Sequence, residues 1–118
     1  MLPPEQDLQN RRPVWIACSD LFLDTELQEF QYIQIAQTCA QSPYSWEELD
    51  IIMFQELWPA FRMNLYSMTG EWAGWPPEFI EDEVLRAQKR KWRLPANFSP
   101  MYPSFRKDWE KVRTFIED

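Results

Sequence analysis

The sequence contains no histidine and only two glycines, Gly70 and Gly74. Without His, the Ser–His and Cys–His nucleophile pairs lose their base, and the common zinc sites lose a ligand. Without a cluster of glycines, no phosphate-cradling loop can be built. Cys18 and Cys39 are the only thiols, too few for a four-ligand metal site. No stretch approaches the ~20 apolar residues of a membrane span. Met1–Asn10 lacks the basic start, apolar run and small-residue cleavage site of a secretory leader. The cytoplasm is therefore the expected compartment, and no cofactor or metal is implied.

What the chain does have is aromatic. Seven Trp, eight Phe and four Tyr stand among 118 residues, and 45% of the chain is hydrophobic. That is enough to bury a real core, and two cores of this combined length would each be too small. One domain is expected. The net charge of −7 conceals an asymmetry: residues 14–85 hold thirteen acids and one base, Arg62, while residues 86–113 hold nine bases and two acids. An acidic majority disfavours nucleic acid as the main ligand, because phosphate contacts need clustered Lys and Arg. It favours a basic protein partner reached by electrostatic steering.

Periodicity predicts five helices and no strand, a compact all-α bundle. Residues 1–10 read as a loose arm. Pro13 at a first helical position opens helix 13–22, with Val14, Trp15, Cys18, Leu21 and Phe22 on its apolar face. Helix 25–40 follows, capped by Asp24 or by Thr25, with Gln28 completing a capping box with Thr25. Ser45 and Glu48 form a capping box for helix 46–57, where Pro59 should kink or restart the chain before an end near Gly70. Pro77 starts helix 77–92, whose acids lead and bases trail, as the helix macrodipole favours. Helix 103–116 carries Phe105, Trp109, Val112 and Ile116. If the first two helices pair as an in-register hairpin, Cys39 lies ~15 Å too far along for a disulfide with Cys18. Both thiols then read as small core residues.

Several features carry a functional reading beside an ordinary one. Glu56 falls on the apolar face of its helix. It is a candidate acid or base, but a structural ion pair with Arg62, Arg86 or Arg12 is the preferred reading, since a lone Glu defines no reaction. Asp20, Asp24, Glu26 and Glu29 surround the first turn, without the spacing of a calcium loop. Glu47, Glu48 and Asp50 lie in a first helical turn. GEWAGW places Glu71, Trp72 and Trp75 beside both glycines, and Trp is enriched at binding hot spots; the competing reading plugs Trp72 and Trp75 into the core. RAQKRKWRL at 86–94 is either an ordinary helix end pairing with the acidic face or a phosphate-binding stretch.

The strings RRPVWIACSDLFLDTEL (11–27), SPYSWEEL (42–49) and NLYSMTGEWAGW (64–75) together resemble a family of small uncharacterised bacterial proteins, a domain of unknown function. The resemblance spans roughly residues 11–80. It implies bacterial origin and a helical fold, and it transfers no catalytic residue. From composition and charge, the expected function is non-enzymatic: an inhibitor that masks a basic site on its partner. The sharpest version is an immunity protein against a secreted, nuclease-type antibacterial toxin, acting through Asp20, Asp24, Glu26, Glu29, Glu47, Glu48, Asp50, Glu71, Trp72 and Trp75. The alternative is a regulatory or scaffold protein that associates with itself, its acidic face meeting the basic segment of a second copy. A monomer and a dimer are both compatible with the sequence.

Overall fold

The computed structural model describes residues 1–23, 27–63, 75–90 and 95–116, and these build an all-α bundle. Its helices are α1 (Leu8–Leu23), α2 (Glu29–Gln41), α3 (Trp46–Ile51), α4 (Trp58–Phe61), α5 (Pro77–Gln88) and α6 (Tyr102–Ile116). A π-helical segment, Ile52–Leu57, joins α3 to α4 without leaving helical backbone geometry. Short 3-10 turns lie at Pro4–Gln6 and Ala96–Phe98. No strand is present among the described residues.

The chain before residue 11 is ordered rather than loose. Pro4–Gln6 forms its turn and the Leu2 carbonyl accepts a 2.8 Å bond from Arg11 Nη2. Helix α1 therefore starts five residues before the expected position, and Pro13 lies inside it. The missing proline donor leaves the Gln9 carbonyl without its intrahelical partner. Gln9 is exposed, so water can serve it. At α2 the cap is Gln28, with Gln31 as its box partner; Thr25 lies outside the described residues. The Ser45–Glu48 box forms as expected: Glu48 N donates to Ser45 Oγ at 3.2 Å, and Ser45 N donates to Glu48 Oε1 at 2.9 Å. Such a cap contributes about 1 kcal/mol.

The helix continues past Pro59 but changes there, as expected: π turns over Ile52–Leu57 give way to α-helical bonding that restarts at Trp58, with Pro59 in its first turn. An α-helix would have needed a Pro59 N–H for the Gln55 carbonyl. That carbonyl instead accepts from Gln88 Nε2 of α5 at 2.8 Å, and the Pro59 carbonyl accepts from Arg90 Nη1 at 3.1 Å. Two side chains around the end of α5 thus serve the irregular stretch. The expected helix end near Gly70 lies outside the described residues, and α5 stops at Gln88 rather than 92.

Every helix sends apolar side chains to one core, in which Trp15, Trp58 and Trp109 are fully buried. Phe22 and Phe105 meet at 4.5 Å between ring centroids, Trp58 abuts Phe105 at 5.1 Å, and Trp46 stacks on Trp109 at 4.6 Å. Burying each large side chain contributes ~1.5–3 kcal/mol. Helix α2 packs on α1 and α6, while α5 packs on α1 and α4.

The two cysteines do not sit where an in-register hairpin would put them. Cys18 Sγ and Cys39 Sγ are 3.8 Å apart and both are buried. Five residues separate α1 from α2, enough to let the helices converge away from the turn instead of running in register from it. Both cysteines belong to the core, as read from the sequence, but the separation expected between them is wrong.

Candidate functional site

Glu56 anchors a strongly polar node in the core. Arg11 Nε donates to its Oε1 at 3.1 Å and Nη2 to its Oε2 at 2.9 Å, while Trp15 Nε1 donates to Oε1 at 3.0 Å. The two charged side chains are 1% and 5% exposed, so the pair is desolvated. Arg11 Nη1 reaches Asp7 Oδ2 at 2.8 Å and Tyr44 at 3.3 Å. Tyr44 in turn donates a short hydrogen bond to Asp7. Burial works against the Arg11 charge, but the bonds and charge of Glu56 more than offset it and raise the guanidinium pKa. The hydrogen bond from Tyr44 holds the Asp7 carboxyl below its usual value, against an opposing effect of burial and with help from Asn10 and Arg11. Burial, seconded by Asp7, pushes the Tyr44 phenol up to about 12.

This is the structural ion pair expected for Glu56, but the partner is none of the three arginines named from the sequence. Arg12 pairs with Glu81 at 2.9 Å and Arg86 with Glu83 at 2.6 Å; Arg62 makes no ion pair among the described residues. The signal for Arg11 was present: Asp7, Arg11 and Trp15 are spaced four apart, one helical stripe. Placing the helix start at Pro13 hid it.

The basic segment largely turns back onto its own chain. Arg106 Nη1 donates to Asp50 at 2.5 Å and Nη2 pairs with Glu110 at 2.7 Å. Lys111 stands over the Tyr32 ring and Arg113 over Trp46. Asp50 also accepts from Trp109 Nε1 at 3.1 Å, so its carboxylate has a structural use. Internal pairing, weighed above for residues 86–94, extends to the bases of α6.

The predicted site residues fall into distinct groups. Asp20 is exposed on α1, Glu29 heads α2 and Glu47 heads α3, all three on the surface. Glu48 is half-buried and occupied by its cap, with the N-terminal amine 3.9 Å away. Trp75 is half-buried, stacked on Phe61 at 4.5 Å with Phe79 at 6.0 Å, so much of its ring packs inward. Asp24, Glu26, Glu71 and Trp72 lie outside the described residues.

One surface feature was not foreseen. A cleft of about 270 Å³ opens between α1 and the start of α5, lined by Arg12, Trp15, Ile16, Pro77, Glu78, Ile80 and Glu81. Ile16 is 39% exposed and Phe79 on the neighbouring turn is 42% exposed. Asp20 follows Ile16 one turn along α1, and Asp82 follows Glu78 one turn along α5. Asp20, Glu78 and Asp82 are exposed and make no ion pair among the described residues. Protein atoms around Asp20 raise its carboxyl pKa by desolvation even though the residue reaches the surface. Apolar surface with an acidic rim can hold a basic, partly apolar surface on another protein.

Fold and surface together define an all-α domain that holds a buried arginine–glutamate node and bears an acid-rimmed apolar cleft. Among the described residues no group of three or more carboxylates and thiols is placed to hold a metal ion, and no helix is long and apolar enough to cross a membrane. The chain belongs to the family described as domain of unknown function (DUF7079), whose model matches residues 9–115. No curated protein and no solved structure matches it. The family match reaches through α6, well past the part of the chain on which the resemblance rested.

Proposed function

We propose that this chain is a protein-binding module that engages a basic partner through its acidic surface, with the α1–α5 cleft at the centre of the contact. One observation carries the reading. After folding, Arg11, Arg12, Arg86 and Arg106 are each paired with acids of the same chain, whereas Asp20, Glu29, Glu47, Glu78 and Asp82 face solvent. The exposed bases Lys89, Arg90 and Lys107 lie at the end of α5 and on α6, while beside the α1–α5 cleft Asp20, Glu78 and Asp82 make no ion pair among the described residues. Paired rim charges add little affinity by themselves, but an uncompensated field accelerates encounter with an oppositely charged partner. The commitment of Glu56 to Arg11 supports binding over catalysis, because its two oxygens already accept three bonds in a desolvated site.

The finer version is an inhibitor: an immunity protein whose acids occupy the groove where a nuclease-type toxin holds phosphate. The self-association alternative has less support, since Arg106, Lys111 and Arg113 of the basic segment are turned onto Asp50, Tyr32 and Trp46. Affinity capture from the native host tests the reading, with the D20K/E78K/D82K triple variant as matched control. A basic protein retained by the parent chain and lost by the variant supports it. Restored growth on co-expression with that protein, if it proves toxic, supports the inhibitor. A partner held equally by both chains, or an acidic one, contradicts it.

A further inference from the structure

We propose that Cys18 and Cys39 constitute a disulfide-forming site that covalently joins α1 to α2. The inference stands on geometry independent of the proposed binding function. The two sulfurs are in van der Waals contact at 3.8 Å, on different helices and 21 positions apart in the chain. A disulfide needs a sulfur separation of about 2.05 Å, so the two sulfurs must approach by roughly 1.8 Å from their present contact. Both thiols are about 1% exposed, and each is the other's hydrogen-bonding neighbour. Val14 and Leu21, about one turn to either side of Cys18 on α1, and Ile35 and Ala36, about one turn before Cys39 on α2, belong to the same buried cluster. Free buried cysteines acting only as small apolar fillers do not require this pairing; two in contact across a helix–helix seam satisfy the spatial condition for a crosslink.

The co-reactant is a small-molecule disulfide. One protein thiolate attacks a sulfur of that disulfide, giving a mixed disulfide and releasing one small thiol. The second protein thiolate then attacks the protein sulfur of the mixed disulfide. The Cys18–Cys39 bond forms, the second small thiol leaves, and two electrons have passed from the protein to the co-reactant. The hydrogen bond with Cys39, seconded by burial, pushes the Cys18 pKa up, and a bulky reagent cannot enter the closed core. Reaction therefore proceeds through transient opening of the α1–α2 seam and is slow. The product closes a loop that contains Asp20 and Glu29, two of the exposed acids on which partner binding is proposed.

The test uses the full chain in glutathione buffers of graded oxidised-to-reduced ratio, without denaturant. Samples are acid-quenched, free thiols are alkylated, and intact mass is read. The expected product is a monomer with neither cysteine alkylated, no glutathione adduct and a mass two units below the dithiol chain. Its melting temperature should rise by roughly 5–15 °C, as expected for a crosslink closing a loop of this length in a chain of this size. The Cys18→Ser and Cys39→Ser variants should show no such rise. Persistence of two alkylatable thiols in fully oxidised buffer overturns the proposal. So does a crosslink that appears only at denaturant concentrations that unfold the chain, or one that lowers the melting temperature.

Discussion

Replacing Arg11 by Met isolates the buried node. The substitution keeps an unbranched side chain of similar reach but removes the guanidinium that donates to Glu56, Asp7, Tyr44 and the Leu2 carbonyl. Asp7 keeps its bond from Tyr44, and Glu56 keeps only Trp15 as donor. Glu56 is 4% exposed, so its charge can be neither hydrated nor countered without rearrangement. Removing one partner of a buried ion pair costs about 3–5 kcal/mol. At about 4 °C per kcal/mol for a chain of this size, R11M should lower the melting temperature by roughly 12–20 °C. The double variant R11M/E56L removes both charges. It leaves the Trp15 N–H and the Leu2 carbonyl without partners, at about 1 kcal/mol or somewhat more each, so it should be more stable than R11M alone. Thermal denaturation followed by far-ultraviolet circular dichroism on the wild type, R11M, E56L and the double variant measures this. An R11M melt within about 4 °C of wild type, or a double variant whose loss equals the sum of the two single losses, would refute a coupled, desolvated pair.

Other outcomes follow from the same structure. Gln88→Ala removes the donor serving the Gln55 carbonyl beside Pro59 and should cost about 1 kcal/mol in chemical denaturation; no change would mean the π segment needs no such support. Ser45→Ala should cost about 1 kcal/mol through loss of the α3 cap, with a melting shift of about 4 °C. The folded Tyr44 pKa of about 12 exceeds the ordinary tyrosine value of 10.0. Its contribution is thus fully present below pH 10 and lost as pH rises through 12; Tyr44→Phe should flatten that part of the alkaline stability profile. Asp7 has a lowered pKa, so its contribution is present above the ordinary value of 3.8 and declines as pH falls through the lower folded value. An Asp7→Asn variant should lose stability at pH 7 and show a shallower acid limb.

Local signals in the sequence were reliable where the chemistry is local. The Ser45–Glu48 box, the Pro77 start of α5 and the apolar stripes of all five expected helices follow from spacing within one or two turns. The α1 start was misplaced because Pro13 is favoured at a first helical position yet tolerated further in, and only the bonds made by residues 2–11 decide between the two. Long-range pairings were not legible. The four-residue spacing of Asp7, Arg11 and Trp15 puts Arg11 on the face of Trp15, but spacing does not say that this face meets Glu56 forty-five positions later. The Cys18–Cys39 contact depends on how α1 and α2 converge, which a hairpin drawn from their lengths does not specify. The π turns around Pro59 likewise depend on Gln88 and Arg90 arriving from another part of the chain. For the candidate surface, the acid surplus was visible in the composition, but its partition was not. Asp50 and Glu48 proved to have structural duties, Trp75 packs against Phe61, and Glu78 and Asp82, whose four-residue spacing to Arg86 and Arg90 suggests salt bridges, make none among the described residues because Arg86 pairs with Glu83 and Arg90 reaches the Pro59 carbonyl.

The association rate of the captured basic partner, measured by stopped flow across a salt series for the wild type and the folded D20K/E78K/D82K variant, tests the binding reading most directly. An acidic surface that steers its partner predicts slower association for the variant and a much weaker dependence on salt. Identical rates and identical salt dependence for the two proteins would contradict it.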